Sequence, residues 1–136
     1  MKNLLRKELG KVYSLPFKER EKVLQVLSKE LESRREIVFA VVFGSFLTSK
    51  VFHDIDIGIY LYRPCDVLRD YEYAENLSRE LEKKVNLPID VVVLNHTPMW
   101  LKYRALKGKV IVDRDPILRL ALKLAAIDNM LSRAGI

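Results

Sequence analysis

The chain predicts an α/β (α+β) domain in which a small mixed β-sheet is flanked by helices, and three observations lead there. Short β-branched runs at Ile37 to Phe43, Asp54 to Leu61, Ile89 to Leu94 and Lys109 to Val112 alternate with longer stretches of helical periodicity. The helical stretches open on cap-type residues or proline. The run from Asp54 to Leu61 alternates cleanly, with Ile55, Ile57, Ile59 and Leu61 on one face and Asp54, Asp56, Gly58 and Tyr60 on the other. Strands separated by helices pack as layers around one core.

The elements follow in order. After a basic leader, Ser14 and Pro16 supply a cap and a first-turn residue for a helix that carries Phe17, Leu24, Leu27 and Leu31 to about Arg35. Ile37 to Phe43 is a buried strand stopped by Gly44, and Asp54 to Leu61 is a second strand, ended by Pro64. Asp66 caps a long helix with the stripe Leu68, Tyr71, Ala74, Leu77, Leu81 and Val85. Glu75 with Arg79, and Glu80 with Lys84, have the spacing to support its solvent side. A third strand follows at Ile89. Thr97-Pro98 opens a helix that Gly108 closes, and Lys109 to Val112 is a fourth strand. Asp115-Pro116 starts a final helix to about Ser132, apolar over a wide arc and so either sandwiched or docked on a partner.

Length and composition bound the function. A chain of 136 residues is expected to form one domain spanning 1–136 and to bury about two-thirds of the surface it would otherwise expose. The lone Cys65 excludes a disulfide framework and a cysteine metal site. No signal-peptide core or bilayer-length apolar run is present, so the cytoplasm is the expected location, with no membrane partner. Twenty-four Lys and Arg against 18 Asp and Glu favour anionic ligands without choosing among nucleotides, RNA and acidic proteins. A surface laced with ion pairs explains the same balance. Arg104, Lys107, Lys109, Arg114, Arg119 and Lys123 are the candidate basic surface.

The chemistry concentrates in one stretch. Strand geometry puts Asp54 and Asp56 on the same side, about 7 Å apart. Hard carboxylate oxygens of this kind suit Mg²⁺, with substrate phosphates completing its shell. Asp90, polar among Ile89 and Val91 to Val93, would join them if its strand lies beside theirs. Upstream, Gly44 permits a close backbone approach and Ser45 opens a turn whose amides and hydroxyl can hold phosphate oxygens. Amides plus metal supply the positioning and charge neutralisation that nucleotidyl transfer needs, with no covalent nucleophile. His53 and His96 read as loop and structural residues, because no further His or Cys completes a transition-metal set. Trp100 and Tyr103 read as core or groove lining, with adenine stacking as the alternative.

Val41-Val42-Phe43-Gly44-Ser45, then Asp54-Ile55-Asp56-Ile57, then Ile89-Asp90-Val91 resembles the minimal nucleotidyltransferase family of the DNA polymerase β-like superfamily. The stretch from Tyr103 to Asp115 resembles the tail of its small antitoxin-type members. The resemblance implies a polymerase β palm-like fold, two Mg²⁺ ions held by Asp54, Asp56 and Asp90, and ATP as donor at Gly44 and Ser45. It also implies a helical HEPN-type toxin as partner, with AMP transferred to a toxin tyrosine. Asp54 and Asp56 would bridge the metals, and Asp90 would bind the second ion or act as general base. Relatives usually have a slightly longer connection between the Gly-Ser and the first Asp. They also often carry Arg-Gly where this chain has Thr48-Ser49, which leaves Lys50 as the substitute cation. Two rival readings stand beside this one: transfer to a small hydroxylated molecule, and a non-catalytic module that neutralises its partner by occlusion.

Overall fold

The computed structural model describes residues 11–135; residues 1–10, which carry most of the basic leader, lie outside them. In chain order the elements are β1 (Tyr13–Ser14), α1 (Phe17–Glu32), β2 (Ile37–Phe43), α2 (Ser45–Thr48), β3 (Val51–Phe52) and β4 (Ile55–Leu61). There follow α3 (Val67–Val85), β5 (Ile89–Val93), a 3₁₀ turn (Leu94–His96), α4 (Met99–Leu106), β6 (Lys109–Asp113) and α5 (Pro116–Arg133). Four strands form a mixed sheet in the order β5-β4-β2-β6, with β4 and β5 parallel and the other pairs antiparallel. A parallel pair needs a crossover, and α3 is that crossover. The small pair β1–β3, Tyr13 opposite Phe52, was not legible as strand in the sequence.

The alternation in β4 sorts the molecule into two layers. Ile55, Ile57, Ile59 and Leu61 join Ile89, Val91 and Val93 of β5 in a core with Leu24, Leu27 and Leu31 of α1 and Ala74, Leu77 and Leu81 of α3. The opposite face of β2, with Phe39, Val41 and Phe43, packs on Leu94 and on Ala105 and Leu106 of α4, while Leu118 and Leu122 of α5 close over it. Tyr60 stacks flat on its cross-strand partner Phe39, ring centroids 5.2 Å apart. Asp56, opposite Phe43, belongs to this second face.

Several local expectations change. Ser14 pairs with Val51 in β1, so Pro16 occupies the N-cap of α1 with no side-chain cap, and Phe17 is exposed. In α3, Leu68 and Tyr71 point outward while Asp70 and Ser78 are buried. The reason is polar pairing: Asp70 accepts from the Cys65 amide and sits 2.6 Å from His96 Nε2, and Ser78 donates to Ala74 and accepts from the Val91 amide. A helix that faces residue 70 inward must turn 68 and 71 out. Glu80 and Lys84 pair with Arg34 and Glu30 of the α1 segment rather than with each other, tying two helices together. Arg79 turns to Asn76. Asp66 and Asp115 do cap their helices, accepting from the Arg69 and Leu118 amides at 2.9 and 3.0 Å. In α5, Ile117, Leu120, Leu124 and Leu131 are exposed, so this helix is half docked and not sandwiched. No helix among the described residues is long and apolar enough to cross a membrane.

Candidate functional site

The site forms where three strands end together. Asp56 lies opposite Asp90 across the parallel β4–β5 pair and opposite Phe43 across the antiparallel β2–β4 pair. Residues in register project to the same face, and adjacent strands are about 4.8 Å apart, so the two carboxylates are immediate neighbours. Asp54 lies two residues before Asp56, just ahead of β4. It is 3% exposed, and Asp56 and Asp90 are half-buried. Like charges at such spacing repel one another unless a cation intervenes.

Gly44 brings the phosphate-type turn against this row. Its φ of +84° lies in the region that side chains resist, and a Cβ there would stand 2.5 Å from Asp56 Oδ2. Glycine is thus required twice, by the backbone and by the carboxylate packed on it. Beyond it, Ser45 begins α2, a helix of only 4 residues. The dipole of a longer helix gathers its charge over successive aligned peptides, so one turn supplies little of it.

Sequence reasoning missed the residue that holds this turn. Arg20 of α1 is 3% exposed and donates to the carbonyls of Leu15, Phe46, Ser49 and Lys50 at 2.6 to 2.7 Å. Its guanidinium also lies over the rings of Phe17, Phe46 and Phe52. The signal was present in the helical period, since Arg20 falls on the stripe of Leu24, Leu27 and Leu31, where a charge must have a buried partner. Lys50 itself is exposed, and the cleft beside Gly44 and Ser45 is not lined by it. That cleft, about 400 Å³, takes its cations from Arg104 and Lys107. Of the wider basic set, Arg114 donates to the Ile37 carbonyl at 2.7 Å and Arg119 pairs with Asp113 at 3.0 Å.

Among the described residues no group of three or more His, Cys, Asp or Glu side chains makes a ready-built metal cage. The donor set still suits Mg²⁺, which takes one or two carboxylates and completes its shell with water and substrate phosphates. His53 takes no part, because its Nδ1 lies 2.7 Å from the Lys11 carbonyl. His96 is engaged with Asp70.

The family model described as Polymerase beta, Nucleotidyltransferase matches residues 25–117, which takes in the Gly-Ser turn, all three aspartates and α4. The chain belongs to this nucleotidyltransferase family. No curated protein matches it in sequence. Among solved structures it is similar to a chain in the tri-AMPylated Shewanella oneidensis HEPN toxin in complex with MNT antitoxin, at a TM-score of 0.65 and 16% identity, covering 85% of this chain and 90% of that one. It is similar to a chain of a toxin–antitoxin structure with AMP-PNP, at a TM-score of 0.62 and 17% identity over 85% and 90% of the two chains. A chain of the MntA–HepT toxin–antitoxin structure follows at 0.58 and 16%, over 88% and 91%. At these identities the likeness establishes a shared fold. The small mixed sheet flanked by helices is therefore a nucleotidyltransferase fold, as the motifs implied.

Proposed function

We propose that this nucleotidyltransferase transfers AMP from ATP to a hydroxyl of a partner protein, in the presence of two Mg²⁺ ions, and serves as the antitoxin of a HEPN-type toxin. The observation that carries the reading is the packing of Asp56 on Gly44 while it is in register with Asp90. That arrangement puts carboxylate ligands and a phosphate-accepting turn in contact, which suits a triphosphate shared between them. The acceptor class is supported by structural neighbours, one of which contains a tri-AMPylated toxin and another AMP-PNP.

In this reading Asp54 and Asp56 hold the ions, and Gly44 and Ser45 meet the phosphates. Bound Mg²⁺ supplies charge neutralisation and a lowered pKa for the attacking hydroxyl. Asp90 completes the ligand set or accepts the hydroxyl proton. The acceptor oxygen bonds to the α-phosphorus, the bond from that phosphorus to its bridging oxygen breaks, and pyrophosphate departs. The buried Arg20 keeps the turn after Gly44 in place throughout.

The test is incubation with Mg²⁺, each labelled nucleoside triphosphate in turn and a co-purified helical partner, followed by mass spectrometry. A mass increment of one or more AMP on a partner tyrosine is the expected result. Label on an added small hydroxylated molecule in place of the partner would overturn the acceptor assignment. A stable unlabelled complex would overturn catalysis in favour of occlusion.

A further inference from the structure

We infer that Arg104 and Lys107, in and just beyond the last turn of α4, form the cationic wall that receives the β- and γ-phosphates of the nucleotide. This deepens the nucleotidyltransferase reading above and rests on it. The loop after Gly44 has a deficit of positive charge. No Lys or Arg lies between Gly44 and Ser49, and α2, with 4 residues, is too short to supply dipole charge instead. Lys50 does not line the cleft. A triphosphate reaching Gly44 and Ser45 would therefore lack a positive side chain from its own loop.

The fold supplies that charge from 60 residues away in the chain. The cleft of about 400 Å³ has Gly44, Ser45, Thr48 and Ser49 on one side and Arg104 and Lys107 on the other. Their place is fixed by the turn that follows α4. A Cβ on Gly108 would stand 2.2 Å from the Val42 carbonyl oxygen, so glycine lets this turn press directly on the end of β2. Lys109 then pairs with Val42 in the β2–β6 ladder. The Arg104 guanidinium lies 5.9 Å from the centre of the Phe43 ring, and Lys107 Nζ lies 4.5 Å from that of Tyr103.

Position relative to the carboxylates completes the case. Phe43, Asp56 and Asp90 are successive members of one row across the sheet, in register on β2, β4 and β5. Arg104, above Phe43, thus lies over the strand next to the one that carries Asp56. A nucleotide whose α-phosphate is held at the aspartates would extend its terminal phosphates past Gly44 into the cleft. Both cations are exposed, as an on-and-off phosphate contact requires, and arginine's fork matches phosphate oxygens in pairs.

The experiment is calorimetric titration of the full chain with ATP, ADP and AMP in Mg²⁺. It compares the natural protein with the double variant Arg104→Gln, Lys107→Gln and with the charge-conserving pair Arg104→Lys, Lys107→Arg. The natural chain is expected to bind ATP more tightly than AMP. The neutral pair should lose roughly 30-fold in ATP affinity, as for two charge-assisted phosphate contacts, with AMP affinity within about twofold. The charge-conserving pair should keep most of the ATP affinity. If the natural chain binds ATP and the neutral pair binds it equally well, or loses ATP and AMP alike, this inference falls while the nucleotidyltransferase reading stands. A charge-conserving pair as weak as the neutral one would point to packing on Phe43 instead, and would equally overturn it. No ATP binding by the natural chain would remove the nucleotide reading itself, and this inference with it.

Discussion

The two faces of the sheet are built from the same strands, yet they have opposite tasks. On one, Ile55, Ile57 and Ile59 meet the leucines of α1 and α3 in a core where Leu27, Leu31 and Ile57 have no exposed surface. On the other, the same β4 strand carries Asp56, half-buried, with the buried Asp54 just ahead of the strand. The difference teaches how so small a domain tolerates concentrated negative charge. Burial of the first face stabilises the strands, and those strands then hold on the second face carboxylates that would otherwise move apart.

The comparison breaks most sharply at Asp56. Asp56→Asn keeps shape and removes charge, and we expect nucleotidyl transfer to fall roughly 10³-fold, since ligand charge at such a site supports several kcal/mol of transition-state stabilisation. Denaturant unfolding should be unchanged or slightly more favourable to the folded state, as one repelling charge is gone. A variant that turned over at the natural rate would show that the second face is not the reacting one. The mirror experiment is Leu27→Ala, which should cost about 2 to 5 kcal/mol in urea unfolding. Under conditions where that variant remains folded, its transfer rate should stay near the natural value. A large rate loss with little instability would mean that the faces are not separable.

Gly44→Ala tests the hinge between structure and chemistry. The methyl would collide with Asp56 Oδ2 and adopt an unfavourable φ, so the carboxylate or the turn must shift. A displacement of that order is expected to lower transfer roughly 10²-fold, read as kcat with the unfolding midpoint measured beside it. Normal kcat in a stable Gly44→Ala protein would separate the turn from the reaction.

The smallest effect is at the rim of the structural face. Tyr73 donates to Glu36 at 2.6 Å. This bond, helped by a backbone hydrogen bond and the Arg34 and Arg114 charges and opposed by burial, holds the Glu36 carboxyl below its ordinary value of 4.5. Burial, then the same bond, pushes the Tyr73 hydroxyl above its ordinary 10.0. A lowered carboxylate pKa stabilises above 4.5 and loses that contribution as pH falls through the folded value. A raised phenol pKa stabilises below 10.0 and loses that contribution as pH rises through the folded one. Tyr73→Phe should therefore reduce stability between those limits by less than about 1 kcal/mol, because the pair is near solvent, and the loss should shrink toward both extremes. Thermal unfolding across pH would reveal it, and a loss that grows outside the window would contradict the assignment.

Legibility differed by element in a way these residues explain. The strands Ile37–Phe43, Ile55–Leu61 and Ile89–Val93 stood out because β-branched runs and alternation are local signals. The stripe of α3 held at Ala74, Leu77 and Leu81 but not at its start, where apolar Leu68 and Tyr71 face out because the polar contacts of Asp70 turn that residue inward. Arg20 was overlooked for a related reason: a charge on an apolar stripe declares its partners only when the distant loop is in place.

Local pattern was enough to order the helices and strands, to put Asp56 on the face opposite Ile55 and Ile57 and to single out Gly44 for its turn, since these follow from the two-residue period of a strand and the special freedom of glycine. Three-dimensional packing was needed to set Asp90 in register with Asp56, to lead Arg20 to the turn after Gly44 and to exchange Lys50 for Arg104 and Lys107 at its cleft. Those meetings depend on sheet order, with β4 between β5 and β2 and with β6 beside β2. Such long-range adjacency is decided by how whole layers bury their apolar faces, and no window of neighbouring residues contains it.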